Sequence, residues 1–498
     1  MRAFISAFLL IIFALPAAAE EAKKAKPEIP EPRSFVTQHQ GRFGGETVRY
    51  TATAAEIYLR DENDEPTASI FSIAYTRNGV ERLEDRPVIF VFNGGPGSAS
   101  LWLHMGFYGP RRVDVPSEAE DDGAPPYDLA ANPQSPLELA DLVFIDPVGT
   151  GFSRAIGEKK NKEFWGIRQD ARSVAEFIRL WVAQNKRWNS PKYLSGESYG
   201  TTRAAAVAEE LQGGWTSIDL NGLILISSIL DFTGARFQPG NEIPYISFLP
   251  SYAATHWYHN LRGSSDVALA DFVEEARRFA LGDYAAALLQ GARLADNERG
   301  RVRAELARLT GLSEGYLDQT DLRINNMRFM KELLREDGIV VGRLDSRYTG
   351  RDYDGAGERF DGDPSAYGID AAYTAAVTHY LTSELGVEIT RKYQVLSRAP
   401  GRNWDWTLNK NQNWPAFVNV APFVGRAMRE NNGFRVLVAN GYYDLATPFF
   451  ATENTFATNG IDPDRVTLTY YEAGHMMYVH HPSLEKLGDD VRAFLTAQ

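Results

Sequence analysis

Ser198 stands at the centre of Gly196-Glu197-Ser198-Tyr199-Gly200, a G-x-S-x-G pentapeptide. The apolar run Lys192-Tyr193-Leu194 before it reads as a strand. Residues 201–211 after it, rich in Ala, Glu and Arg, read as a helix. A chain that turns sharply from strand to helix projects a serine hydroxyl from a strained backbone, and flanking glycines permit that turn. The hydroxyl is a weak nucleophile until a neighbouring base takes its proton. His475, in Ala473-Gly474-His475-Met476, is the candidate base. Asp444, in Gly441-Tyr442-Tyr443-Asp444, is the candidate acid that fixes the imidazole tautomer and stabilises its protonated form. His480 and His481 compete with His475 but read as surface residues further along the same loop. Asp462 and Asp464 compete with Asp444 but belong to an Ile-Asp-Pro-Asp turn ahead of a strand.

A second stretch, Asn93-Gly94-Gly95-Pro96-Gly97-Ser98, follows the apolar run Val88-Ile89-Phe90-Val91-Phe92. Successive glycines let backbone N–H groups come close to a substrate oxygen, as an oxyanion hole requires. The N–H groups of Gly95 and Tyr199 are the candidate donors. A phosphate-binding loop would need a Walker lysine or G-x-G-x-x-G spacing, and neither occurs here. His256 and His259 have the spacing of a helical turn, but no carboxylate ligand accompanies them, so they read as packing residues and not as a metal site. Acyl-enzyme chemistry needs no metal ion or organic cofactor, and none is implied.

The elements that must carry these residues follow from periodicity. Residues 47–50, 56–59, 69–76 and 88–92 read as strands, and residues 142–145 and 223–226 as buried core strands. Residues 163–186 carry apolar side chains at helical spacing and end at Asn189-Ser190-Pro191. From Gly234 to Gln412 the pattern is mainly helical and aromatic, with helices expected over 266–281, 283–294, 298–309, 322–334 and 371–385 and a loop-rich stretch over 348–368. Alternation then resumes, with helices over 416–431, 448–458 and 482–497 and strands over 435–440 and 465–471. Alternating strands and helices predict a mostly parallel, doubly wound sheet, entered by an N-terminal antiparallel meander and interrupted by a large helical cap. Ser198, Asp444 and His475 each follow a predicted strand, at the edge where such sheets bind ligands. Their order, Ser then Asp then His, is that of the α/β-hydrolases.

Composition sets the outer limits. The chain has 498 residues, 44% hydrophobic and 23% charged, as expected of a globular enzyme with one large core and an inserted unit. Its net charge of −13 argues against nucleic acid as a partner. The absence of cysteine excludes disulfides, cysteine nucleophiles and thiolate metal sites. Arg2, the apolar run from Phe4 to Leu15 and Ala17-Ala18-Ala19 read as a secretory signal peptide over 1–19, too short for a comfortable membrane span. Residues 20–34 read as a flexible lead-in, 35–233 and 413–498 as the two parts of the core, and 234–412 as the cap. An exported protein without disulfides suits a bacterial periplasm or exterior, and no membrane partner is expected of the mature chain.

Taken together, Asn93-Gly94-Gly95-Pro96-Gly97, the Ser198 pentapeptide, Gly474-His475-Met476 and Asp146-Pro147-Val148-Gly149-Thr150-Gly151-Phe152-Ser153 resemble the serine carboxypeptidase family, from about Phe35 to the C-terminus. The resemblance implies an α/β-hydrolase fold and stepwise removal of C-terminal residues from peptides through an acyl-enzyme. It also implies that the peptide carboxylate is held by an Asn and two Glu, of which Asn93 and Glu197 match two. A carboxyl group that binds a carboxylate must itself be protonated, so mild acid would favour such a site. Phe107 stands where the second Glu of the family is expected, and His104 nearby is the candidate cation, though packing is its commoner role. Asp146-Pro147 is one residue shorter than the Asp-Gln-Pro of the family, and the family disulfides have no counterpart. An esterase or acyltransferase acting through the same triad on a small ester is the alternative enzyme reading. A non-catalytic binding protein on the same fold is the third. Oligomeric state is not legible in the sequence.

Overall fold

The computed structural model describes residues 29–213, 217–263, 266–408 and 417–497. The expected signal peptide, the lead-in up to residue 28 and the boundary between cap and second core part at 412/413 lie outside the described residues. Among the described residues the central sheet has ten strands, nine of them along one path: β1 (Ser34–Phe43), β2 (Glu46–Arg60), β3 (Pro66–Arg77), β4 (Val88–Phe92), β5 (Asp141–Ile145), β6 (Lys192–Glu197), β7 (Gly222–Ile226), β8 (Arg435–Gly441) and β9 (Val466–Tyr471). Their order is β1-β2-β3-β5-β4-β6-β7-β8-β9, with a two-residue strand at Arg154–Ala155 paired to β3. The first three strands are antiparallel, β3 meets β5 antiparallel, and every pair from β5 to β9 is parallel. This is the α/β-hydrolase sheet.

The inner strands read as continuous apolar runs because both sheet faces are covered. In β4, Ile89 and Val91 enter one apolar cluster while Val88, Phe90 and Phe92 enter the other. In β7 the division is Ile224 and Ile226 against Leu223 and Leu225. A slip of one residue would exchange the two faces of a strand, so packing on both sides fixes register. Helices α1 (Ile167–Gln184), α2 (Tyr199–Gln212) and α3 (Ala421–Glu430) supply the cover in the second cluster through Val174, Phe177, Ala204, Val207, Val424 and Met428.

The strands at the N-terminal edge of the sheet differ from those expected. Residues 47–50 and 56–59 belong to one 15-residue strand, not two. The intervening Thr51-Ala52-Thr53-Ala54-Ala55 lacks large apolar side chains, yet Ala52 and Ala54 are buried and the segment is paired on both edges. β1 was not expected at all. Its polar alternation leaves no buried residue before Phe43, as suits an edge strand exposed along one side.

The segment between β7 and β8 carries Ile243–His256, Leu269–Phe279, Asp296–Thr310, Asn326–Glu332 and Asp370–His379 as helices. The first precedes the helices expected one by one within the insertion, and it carries Pro250 in its interior. A short hairpin pairs Ile339–Val341, which lies between the stretch read as helix and that read as loop, with Thr349–Arg351 at the start of the loop-rich stretch. Phe248, Leu249, Tyr252, Leu306 and Val341 of this segment share an apolar cluster with Tyr443, Leu445 and Phe449 around Asp444. This segment therefore packs directly onto the loop that carries Asp444. Among the described residues, no helix is long and apolar enough to cross a membrane.

Candidate active site

Ser198 sits at φ 60° and ψ −130°, between the last residue of β6 and the first of α2. A left-handed φ in a non-glycine residue is costly and persists only where the surroundings fix it. Here the Ser198 N–H donates to the Ile226 carbonyl at 3.1 Å, and the N–H and hydroxyl of Thr201 donate to the Ser198 carbonyl at 2.9 and 2.7 Å. The flanking glycines are required by space. A Cβ on Gly196 would lie 2.1 Å from the Gly200 carbonyl oxygen, and one on Gly200 would lie 2.7 Å from that of Phe92. Beneath the turn, buried Arg203 of α2 pairs with Asp170 of α1 at 2.6 Å and donates to the Asn93 carbonyl, tying the glycine-rich loop to the elbow.

His475 and Asp444 meet at 2.7 Å, Nδ1 to Oδ2, both buried. The carboxylate is fully engaged. Its Oδ1 accepts from the N–H groups of Ala446 and Thr447 at 2.7 and 2.9 Å, and its Oδ2 also accepts from the Thr447 hydroxyl at 2.7 Å. Burial disfavours the charged imidazole, but the Asp444 charge and hydrogen bond outweigh it, Glu197 adds to them, and the His475 pKa is raised. Backbone bonds fix the ring's position. The His475 N–H donates to the Leu344 carbonyl at 2.6 Å, and the Ser227 hydroxyl donates to the His475 carbonyl at 2.6 Å. Asp345, itself buried and paired with Arg347 at 2.6 Å, accepts from the Gly474 N–H at 3.0 Å. The insertion thus positions the histidine loop as well as the acid.

Ser198, His475, Gly95 and Tyr199 line one cavity of about 370 Å³. Among the described residues, neither the Gly95 nor the Tyr199 N–H, the two donors expected from the sequence, meets an acceptor. Gly95 reaches this place at φ +104°, and a Cβ on the preceding Gly94 would lie 2.5 Å from the Tyr199 nitrogen, so the two donor segments run in contact.

Asn93 and Glu197 also come together, both buried, and neither is among the residues that line the cavity. The Asn93 side-chain amide donates to Glu197 Oε1 at 3.0 Å and its oxygen accepts from the Leu103 N–H at 3.0 Å. Tyr478 donates to Glu197 Oε2 at 2.6 Å. Burial, offset in part by the charge of His475 and by the Tyr478 and Asn93 hydrogen bonds, pushes the Glu197 carboxyl up to about 7. Phe107 is fully buried against Tyr108. His104 is buried with Nε2 2.7 Å from the Tyr75 hydroxyl, and burial pushes its pKa down to about 3, so it is a neutral packing residue and supplies no cation. His480 turns to Ser483 at 2.8 Å, His481 faces Asp114 at 3.5 Å, and Asp462 caps a short turn, so none of these rivals enters the site. His256 contacts Asn260 and His259 contacts the Ser346 carbonyl.

Sequence reasoning missed Thr447, Tyr478, Ser227 and Asp345. Thr447 had a signal: a hydroxyl three residues after an aspartate is a common turn pairing. The other three reach their partners across the fold and carry no local pattern.

Comparison with known proteins gives a partial match. A sequence model of the serine carboxypeptidase family matches residues 58–246, which include Asn93, Gly95, Glu197 and Ser198 but not Asp444 or His475. Serine carboxypeptidase-like 13 of Arabidopsis thaliana is 27% identical over 164 residues, covering 32% of this chain and 36% of that protein. The pheromone-processing carboxypeptidase KEX1 of Saccharomyces cerevisiae is 32% identical over 159 residues, 30% of this chain and 18% of its own. These matches span about a third or less of the relatives' length. The crystal structure of the Saccharomyces cerevisiae prohormone-processing carboxypeptidase superposes with a TM-score of 0.55 at 18% identity, over 89% of this chain and 90% of that one.

Proposed function

We propose that the chain is a serine carboxypeptidase that releases C-terminal residues from peptides through an acyl-enzyme on Ser198. The observation that carries this reading is the buried Asn93–Glu197 pair adjoining a nucleophile whose base and acid are already in contact. In the proposed cycle, His475 takes the Ser198 proton as Oγ attacks the scissile carbonyl carbon. The oxygen that becomes negative is received by the N–H groups of Gly95 and Tyr199. His475 then gives its proton to the leaving amine, the C–N bond breaks, and water repeats the sequence to free the acid. Asn93 keeps one amide N–H for the carboxylate of the departing residue, and Glu197 donates to it when protonated. Partial matches to the carboxypeptidase family over residues 58–246 support the same reading. The substrate is a peptide, the mature chain is exported to a periplasm or exterior, and nucleic acid is not a partner.

Phe107 and the position of Asn93 and Glu197 off the cavity wall favour a second reading, an esterase or acyltransferase with the same triad and no need of a free carboxylate. Mass spectrometry of an unblocked peptide separates the two. Stepwise loss of single C-terminal residues, absent from the same peptide amidated, supports the carboxypeptidase. Cleavage of esters alone supports the alternative.

The pH dependence follows from Glu197. Below about 7 it is neutral, which both suits it to a carboxylate and removes a charge that holds His475 protonated. Rising pH ionises Glu197, so kcat/KM for a free-acid peptide falls on the alkaline side. Falling pH protonates His475 and removes the base, which gives the acid limb. Glu197→Gln mimics the neutral carboxyl. The variant is expected to keep its activity above pH 7, where the wild type loses it. An alkaline limb unchanged by Glu197→Gln would dismiss this role for Glu197.

A further inference from the structure

The cavity lined by Ser198 and His475 is also lined by two arginines, Arg236 and Arg343, and among the described residues no aspartate or glutamate lines it. Ile229, Phe232 and Trp406 give it an apolar flank. Arg236 is exposed, lies 5.9 Å from the centre of the Phe232 ring and has no ion pair among the described residues. Among the described residues the carboxylate paired with Arg343 is that of Asp363, with Nε 3.9 Å from Oδ2, and the arginine side chain remains 43% exposed. That is a weak pairing in solvent. The charge of Arg343 reaches His475, where it opposes protonation of the imidazole. Two like charges at one cavity, in a chain of net charge −13, form a local positive field that an anionic ligand would neutralise.

The side of the scissile bond served by this cavity follows from what lines it. The oxyanion donors Gly95 and Tyr199 are on its wall, whereas Asn93 and Glu197, assigned above to the leaving residue, are not. A substrate with its carbonyl oxygen at Gly95 and Tyr199, and its departing carboxylate towards Asn93 and Glu197, places the preceding residue in the cavity. We infer that this cavity receives the side chain of the residue that donates the acyl group, and that Arg236 and Arg343 select an acidic one, aspartate or glutamate. Apolar walls take the methylenes, and a planar guanidinium matches the carboxylate at their end. The assignment of sides rests on the carboxypeptidase reading; the acidic preference itself does not.

The test compares kcat/KM for N-blocked dipeptides with Glu, Gln or Phe before a common C-terminal leucine, together with p-nitrophenyl esters of N-blocked Glu and Gln. Glu and Gln share shape and differ in charge, so their ratio reads the arginines. The expected preference for Glu over Gln is roughly 10-fold or more at low salt, eroding as ionic strength rises. It also fades as the substrate side chain protonates, below about pH 4.5. In the double variant Arg236→Gln/Arg343→Gln the ratio is expected to fall to about 1, with thermal unfolding of the variant reporting whether it has folded. Each arginine alone, Arg236→Gln or Arg343→Gln, should give an intermediate ratio. A Glu:Gln ratio near 1 in the wild type, or one that survives the double variant, overturns the inference. Phe preferred over both, with no Glu preference, shows that the cavity selects apolar residues and that the arginines face solvent. The esters carry no leaving carboxylate. A Glu preference on esters without dipeptide cleavage therefore retains the acidic preference and rejects the carboxypeptidase; dipeptide cleavage without a Glu preference does the reverse.

Discussion

Ser198→Ala is expected to lower turnover by roughly 10⁵-fold and to abolish covalent labelling by a fluorophosphonate. Alanine accepts the same left-handed backbone at the cost already borne by serine, and the bonds from Ser198 N–H to Ile226 and from Thr201 to the Ser198 carbonyl involve only main-chain atoms of residue 198. The elbow should therefore survive while the nucleophile is lost. Rate measurement and labelling on a variant with unchanged thermal unfolding provide the check. Retained labelling would place the nucleophile elsewhere, and an unlabelled but folded wild type would leave only the binding-protein reading.

Asp444→Asn is expected to cost about 10⁴-fold in kcat with little change in fold. The reason lies in the donor inventory around the carboxylate. Oδ1 accepts two backbone N–H groups, from Ala446 and Thr447, which an amide oxygen still satisfies. Oδ2 accepts from the Thr447 hydroxyl and from His475 Nδ1. An amide nitrogen at that position presents hydrogens where acceptors are needed, so His475 is driven to the tautomer with its proton on Nε2 and loses its capacity as base. The variant should also lose the support that keeps the His475 pKa raised, moving the acid limb of the rate profile to lower pH. Activity within a few-fold of wild type would show that Asp444 does not orient the histidine.

Much of this site was legible because sheets of this class put chemistry at strand ends. Ser198, Asp444 and His475 each follow an apolar run of strand length, and the structure sets all three runs in the parallel part of one sheet as β6, β8 and β9, with β7 between the first two. Glycine spacing marked the elbow and the Gly95 loop because close backbone approach admits no Cβ there. Helical periodicity across the insertion was legible, since amphipathic helices must bury one face. Contacts set by tertiary packing were not. Tyr478 caps Glu197 across 281 positions, and Asp345 reaches Gly474 across 129. Nothing in the local sequence around Arg236 or Arg343 distinguishes them from other surface arginines; only the fold brings them to one cavity. The edge strand β1 escaped because a strand that buries little carries little apolar signal.

The most direct test of the central claim is kcat/KM for an N-blocked dipeptide with a free C-terminal carboxylate, measured beside its C-terminal amide across acid to neutral pH. A carboxypeptidase that uses Asn93 and Glu197 should prefer the free acid strongly, with the preference fading as Glu197 ionises near pH 7. Equal rates for acid and amide, or a preference for the amide or an ester at every pH, would contradict it and leave an esterase acting through Ser198, Asp444 and His475.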